Sequence, residues 1–282
     1  PENLVPLEAF LKQNPRSPWV ASLRLNCGLI YHENGQYSKA LSSLQQAWAM
    51  LSTSKEPRAK AQADRTVGEL AVTWAYLGRY EELEPLLKEV RSRHLSGSAT
   101  EMIAAAAEGL HDMKTTPEKS FLCGPLALER VCRLRSDDHS AQALKIVGKL
   151  RSTKKGTSLG QLWQAADQAG LHYQIAFREP GAAVITPAIA HWQVGHFSCL
   201  QEGKEGRFRV EDPTYGAFGD TITMARATLD SESSGYFLVP PGSLPKGWRS
   251  VSLTEGQSIW GRGDTGPSKD GRATTTCDAK DA

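Results

Sequence analysis

The sequence predicts an α-helical repeat solenoid followed by an α+β domain built on an antiparallel sheet. Two patterns carry this. Over residues 1–112, apolar side chains recur at helical spacing in paired segments broken by glycine-bearing turns. Beyond them, helical stretches give way to short alternating runs separated by turn-rich pieces such as "QEGKEG". Helices first and strands afterwards is the segregated order of an α+β domain. A length of 282 residues sets two domains as the starting expectation.

In the first part, "LRLNCGLIYHENGQYSKALSSLQQAWAM" reads as two helices joined at "ENGQY", and "YLGRY" marks a second such turn. Superposing the turns places Gly28 over Ala71, Tyr31 over Trp74, Gly35 over Gly78, Tyr37 over Tyr80, Ala40 over Leu83 and Leu44 over Leu87. Small and large residues recur at matched positions, so Gly28, Tyr31, Trp74 and Tyr80 are expected to pack rather than to do chemistry. This resembles the tetratricopeptide repeat, whose usual period is about 34 residues; here the linker "STSKEPRAKAQADR" lengthens the unit. "LEAFLKQNPRSPW" looks like the closing helix of an earlier unit, and "SATEMIAAAAEGLHDMK" like one more helix. A stack of this kind presents a concave face suited to holding a partner.

In the second part, residues 113–245, helices are expected at 123–135 and 158–170. Strands are expected at 171–177, 188–192, 195–201, 207–212 and 235–240, forming a meander. The remaining stretch, 246–282, is polar and glycine-rich and is expected to be a linker or disordered tail.

"SFLCGPLALERV" places Cys123 where a helix begins. A cysteine there is either a packed core residue or a nucleophile. The helix dipole and outward-pointing N–H groups at such a position stabilise a thiolate, lowering its pKa from the free value of about 8.5. Gly124 would let a substrate approach the backbone, and Pro125 suits a first turn where an N–H is not needed. His196 opens one expected strand and Asp212 closes the next, so a hairpin can carry them side by side. An imidazole to take the thiol proton and a carboxylate to hold its tautomer complete a nucleophile–base–orienter set. His191 is a rival base, for which a packing or hydrogen-bonding role is favoured. Cys132 and Cys199 are expected in the core, while Cys277 in the tail is a free thiol or a cross-link.

The motifs "CGPLAL", "AIAHWQVGHFSCL" and "VEDPTYG" together resemble the bacteriocin-processing peptidases, the papain-like family that removes double-glycine leaders beside some export transporters. "GTSLGQLWQAADQAGLHY" and "SGYFLVP" are similar to that family's intervening helix and closing strand. The resemblance implies a papain-like cysteine peptidase domain with Cys123, His196 and Asp212 as catalytic residues, a peptide or polypeptide substrate, and no metal or organic cofactor. Gly124, Lys119, Ser120 and Trp192 are the further residues expected around the oxyanion or the substrate. Two positions depart from the family: Pro117 stands where a glutamine helps bind the oxyanion, and Leu122 stands where an aspartate precedes the cysteine. No Gly-Gly pair occurs in the sequence, so a double-glycine substrate lies elsewhere or the specificity has changed.

The combination of repeats, peptidase-like domain and tail also resembles regions upstream of large RHS or YD repeat proteins, a secreted, often toxin-bearing bacterial family. That likeness, with the start at Pro1, implies a piece of a longer secreted or cell-associated polypeptide and processing within that same parent chain. Two other readings of the trio are a binding or plug module that has lost turnover and a transglutaminase-like acyl transferase.

Charge and cysteine content narrow the rest. Thirty-three basic and 31 acidic side chains leave a formal net charge of +2, which gives no field calling for nucleic acid. No run approaches the roughly 18–20 apolar residues of a membrane helix. Five cysteines without a C-x-x-C pair argue against a zinc ribbon. "GTSLG" lacks the lysine of a phosphate loop, and the Arg-Gly-Asp triplet in "GRGDTG" is not taken as an integrin motif.

Overall fold

A computed structural model describes residues 4–134, 140–212 and 221–263. The N-terminal part consists of helices α1 (Val5–Gln13), α2 (Val20–Glu33), α3 (Tyr37–Leu51), α4 (Pro57–Tyr76), α5 (Tyr80–Val90) and α6 (Ser98–Thr115). Short turns fold α2 on α3 and α4 on α5, and α6 packs along α4. Gly28 and Gly68 set the closeness of this packing: a Cβ on Gly28 would lie 2.9 Å from Leu44, and one on Gly68 2.9 Å from Met102 Sδ. Pro57 and a Glu56 side chain accepting from the Ala59 N–H start α4. Gly35 and Gly78 end α2 and α4 with φ of 72° and 63°, a conformation glycine adopts without a Cβ penalty.

The second part opens with α7 (Pro117–Ser120), α8 (Cys123–Arg133) and α9 (Ser140–Val147). Then come β1 (Thr157–Ser158), α10 (Leu159–Gln168), β2 (Gln174–Arg178), β3 (Ala188–Trp192), β4 (His196–Glu202), β5 (Phe208–Glu211) and β6 (Thr221–Met224). The chain continues through α11 (Arg226–Glu232), β7 (Ser233–Val239), β8 (Trp248–Ser250), α12 (Leu253–Gln257) and β9 (Trp260–Gly261). A capping box between Ser158 and Gln161 starts α10.

Seven strands form one sheet in the order β6-β5-β4-β3-β7-β2-β8, with antiparallel neighbours. This differs from a simple meander, because β7 inserts between β3 and β2. One face packs on α8, α9 and α10 through Leu128, Leu162, Ile189, Phe197 and Leu238. On the other face Ala190, Trp192, Leu200 and Phe237 share a core with Tyr37 and Leu77 of the helical part. Both faces are therefore covered, which is why β3 is buried at every residue instead of alternating.

The stretch 246–263 corrects the expected tail. β8 joins the edge of the large sheet, α12 packs on α10, and β9 pairs with β1. Its polar composition had signalled a linker, but backbone pairing needs no apolar side chain. The expected tail beyond it, with Cys277, lies outside the described residues, as does the 213–216 part of "VEDPTYG".

The two parts are joined by a cap supplied across the interface. Helix α3 has no side-chain cap of its own; instead Glu232, at the end of α11, accepts from the Ser38 N–H at 2.9 Å and the Ser38 hydroxyl at 2.8 Å. Glu232 is buried, so removing it strands two donors. Glu232→Ala should cost about 1–3 kcal/mol, seen in urea unfolding as a lower midpoint, with Glu232→Gln intermediate.

Candidate active site

Cys123 is the first residue of α8, where the helix leaves N–H groups directed along its axis. The preceding turn, α7, ends at Phe121, which is buried against the helical part. Leu162 of α10 sits 3.0 Å from where a Cβ on Gly124 would lie. Gly124 thus serves helix packing, and the space once assigned to an approaching substrate is filled by Leu162.

His196 and Asp212 come together as the strand pattern requires. His196 opens β4, Asp212 follows β5, and the two strands pair in register. His196 Nε2–H donates to Asp212 Oδ2 at 2.5 Å, with both residues buried. Ser198, two residues along the same face of β4, donates its hydroxyl to the same Oδ2 at 2.7 Å, and its oxygen accepts from the Trp192 indole N–H at 2.7 Å. Burial alone would lower the His196 pKa, but Asp212 and then the Cys123 sulfur on its other side drive it up to about 10. The imidazole is therefore held protonated at neutral pH, between the Asp212 carboxylate and the Cys123 sulfur.

Trp192 is wholly buried, and its polar contact supports Asp212 through Ser198. Ser120 is buried and donates its hydroxyl to the Thr116 carbonyl at 3.0 Å; Lys119 is exposed on the same short turn. His191 has a hydrogen-bonding role: Nδ1 meets Ser234 Oγ at 2.7 Å, and Nε2–H donates to the Trp260 carbonyl at 2.9 Å. Cys27, Cys132 and Cys199 are buried. Burial, with Glu211 nearby, pushes Cys199 up to about 12. Among the described residues no group of three or more His, Cys, Asp or Glu side chains is placed to hold a metal ion.

Three features of the site escaped the sequence reading. Ser198 could have been found from the period of two on a strand beginning at His196. Tyr80 and Glu81, on α5, reach the cleft from the other part of the chain, as only tertiary packing arranges. Gly263 lies on Cys123 itself: its N–H donates to Cys123 Sγ at 3.1 Å.

Residues 117–242 match the Peptidase C39 family. The matched stretch includes Cys123, His196 and Asp212 and stops short of the Trp248–Gly261 elements. Among solved structures, the chain is similar to a double glycine motif protease from an AMS/PCAT transporter in complex with the leader peptide. That likeness has 21% identity over 42% of this chain and 84% of that one, with a TM-score of 0.34. No curated protein matches the chain.

Two opposite pH effects follow from the buried histidines. His196 is raised from 6.5 to about 10, so the stability it contributes is complete below pH 6.5 and is lost as pH rises through about 10. His191 and His32 are lowered by burial to about 4, so their contribution is present above pH 6.5 and is lost as pH falls through about 4. Urea unfolding across pH should show His196→Gln flattening the alkaline decline and His191→Gln flattening the acid one.

Proposed function

We propose that this chain is a cysteine peptidase that hydrolyses a peptide bond in processing a longer polypeptide, its own parent chain of the RHS type. The observation that carries the reading is the buried His196–Asp212 pair, braced by Ser198 and facing Cys123 at the start of α8. The match of this stretch to a peptidase family supports the same chemistry.

In this reading the Cys123 thiolate attacks the substrate carbonyl, and His196 protonates the leaving amine. His196 then takes a proton from the water that cleaves the thioester. Asp212 holds the imidazole with Nε2–H toward itself, leaving Nδ1 toward the sulfur. The Cys123 N–H, at the helix start, is the donor proposed for the oxyanion, with Lys119 and Ser120 on the preceding turn as weaker candidates. Because Pro117 provides no side-chain donor, turnover lacks a contact typically worth about 2.7–4 kcal/mol, and slow processing is expected. The tetratricopeptide-like helices position the substrate segment beside the thiol.

Incubation of the purified chain, read by intact mass, should reveal fragments that Cys123→Ala does not form. His196→Ala should slow their appearance by about 10²–10⁴-fold. Conversion unchanged by Cys123→Ala would overturn the reading. Release of ammonia with an added amine donor, without new chain ends, would replace it with acyl transfer.

A further inference from the structure

The segment Ile259–Gly263 runs through the cleft as an extended strand gripped at each residue. The Leu159 N–H donates to the Ile259 carbonyl at 2.8 Å. Trp260 and Gly261 pair with Ser158 and Thr157, and the Trp260 carbonyl accepts from His191 at 2.9 Å. On the opposite side the Arg262 N–H donates to the carbonyl of Gly195, the residue before His196, at 3.0 Å. Gly263 then reaches Cys123. Being held by backbone pairing on one side and by the approach to the base on the other is how a groove binds an extended peptide.

Two glycines fit where no other residue would. A Cβ on Gly261 would lie 2.7 Å from Phe197 Cε2. One on Gly263 would lie 2.5 Å from His196 Nδ1 and 2.8 Å from Cys123 Cβ, too close for real Cβ contacts. Between them, the Arg262 guanidinium makes a bidentate ion pair with Glu81, at 2.9 and 3.0 Å, and stacks over Tyr80, 5.2 Å from the ring centroid. Planar two-point pairing of this kind selects arginine over lysine. Both contacting side chains belong to α5 of the helical part.

We propose that this Gly-Arg-Gly segment is the enzyme's own substrate, cut at an amide bond of Gly263, with Glu81 and Tyr80 selecting the arginine. The proposal rests on the peptidase reading above and names its substrate. The thiolate adds to the carbonyl carbon and the carbon–nitrogen bond breaks as the leaving nitrogen takes the proton held by His196. Water then divides the thioester into a carboxylic acid and the free thiol. The cut separates the helical and peptidase parts, with their bound strand, from all that follows in the chain.

The test uses the whole chain. Wild type should yield an N-terminal product ending at Arg262 or Gly263, identified by intact mass, and Gly263→Val should not. Glu81→Arg should slow the cut at least tenfold, and adding Arg262→Glu to that variant should restore it, which a merely structural loss would not allow. A fold check by circular dichroism accompanies each variant. Cys123-dependent cutting at another bond, or loss in Glu81→Arg that the paired change does not restore, overturns this inference and leaves the peptidase standing. An uncut wild type overturns it too. In that case a Gly-Gly reporter peptide offered to Arg262→Glu shows whether the thiol turns over at all: hydrolysis keeps the peptidase reading, and none removes both.

Discussion

Asp212 carries a charge that is only 2% exposed, and a carboxylate removed from water must find donors or give up its ionised form. Its Oδ2 finds two, His196 and Ser198, on one face of β4. Ser198 in turn accepts from Trp192, the residue paired with His196 across the β3–β4 hairpin. Trp192 is held at its other edge by Tyr37 of the helical part, ring to ring at 5.7 Å. A line of contacts thus runs from the start of α3 through the sheet to the imidazole. Each link depends on the last, because a buried polar network is costly when only partly satisfied.

This dependence gives the helical part more than a passive role. The turns that close its two helical hairpins are among the places where it meets the rest of the chain. A side chain on Gly35 would strike Met224 of β6, and one on Gly78 would strike the Arg262 carbonyl. Arg79, beside that second turn, donates to the Val194 carbonyl at 3.0 Å, within the loop that leads into His196. The glycines therefore answer two demands at once: a left-handed residue to end the helix, and room for another backbone. Tyr80 and Glu81 follow directly, so the turn that docks the helical part also presents the pair that holds Arg262.

The segment 246–263 has the composition of a linker and the contacts of a strand. It bridges the edge of the sheet and the cleft, crossing α10 through the close approach of Gly160 to Gln257. Ordering such a polar stretch costs backbone entropy of about 1–2 kcal/mol per residue. Backbone hydrogen bonds to Ile175, Leu159, Thr157, Ser158 and Gly195, with the Arg262–Glu81 pair, oppose that cost.

The sequence by itself determined the elements with strong local signals. The helix beginning at Cys123, the strand Ala188–Trp192 and the glycine turns at 35 and 78 were legible because dipole, periodicity and φ are local quantities. The juxtaposition of His196 and Asp212 was also legible, since two adjacent strands and a period of two leave few alternatives. The role of Gly124 was misjudged because its neighbour Leu162 is remote in sequence. The Trp248–Gly261 elements were missed because hydrogen-bonded pairing leaves no mark on composition. Only the tertiary structure decided that Arg262 meets Glu81 and that Gly263 meets Cys123. Those meetings join residues 140 and more positions apart in the chain, and no local pattern records which distant backbone will occupy a cleft.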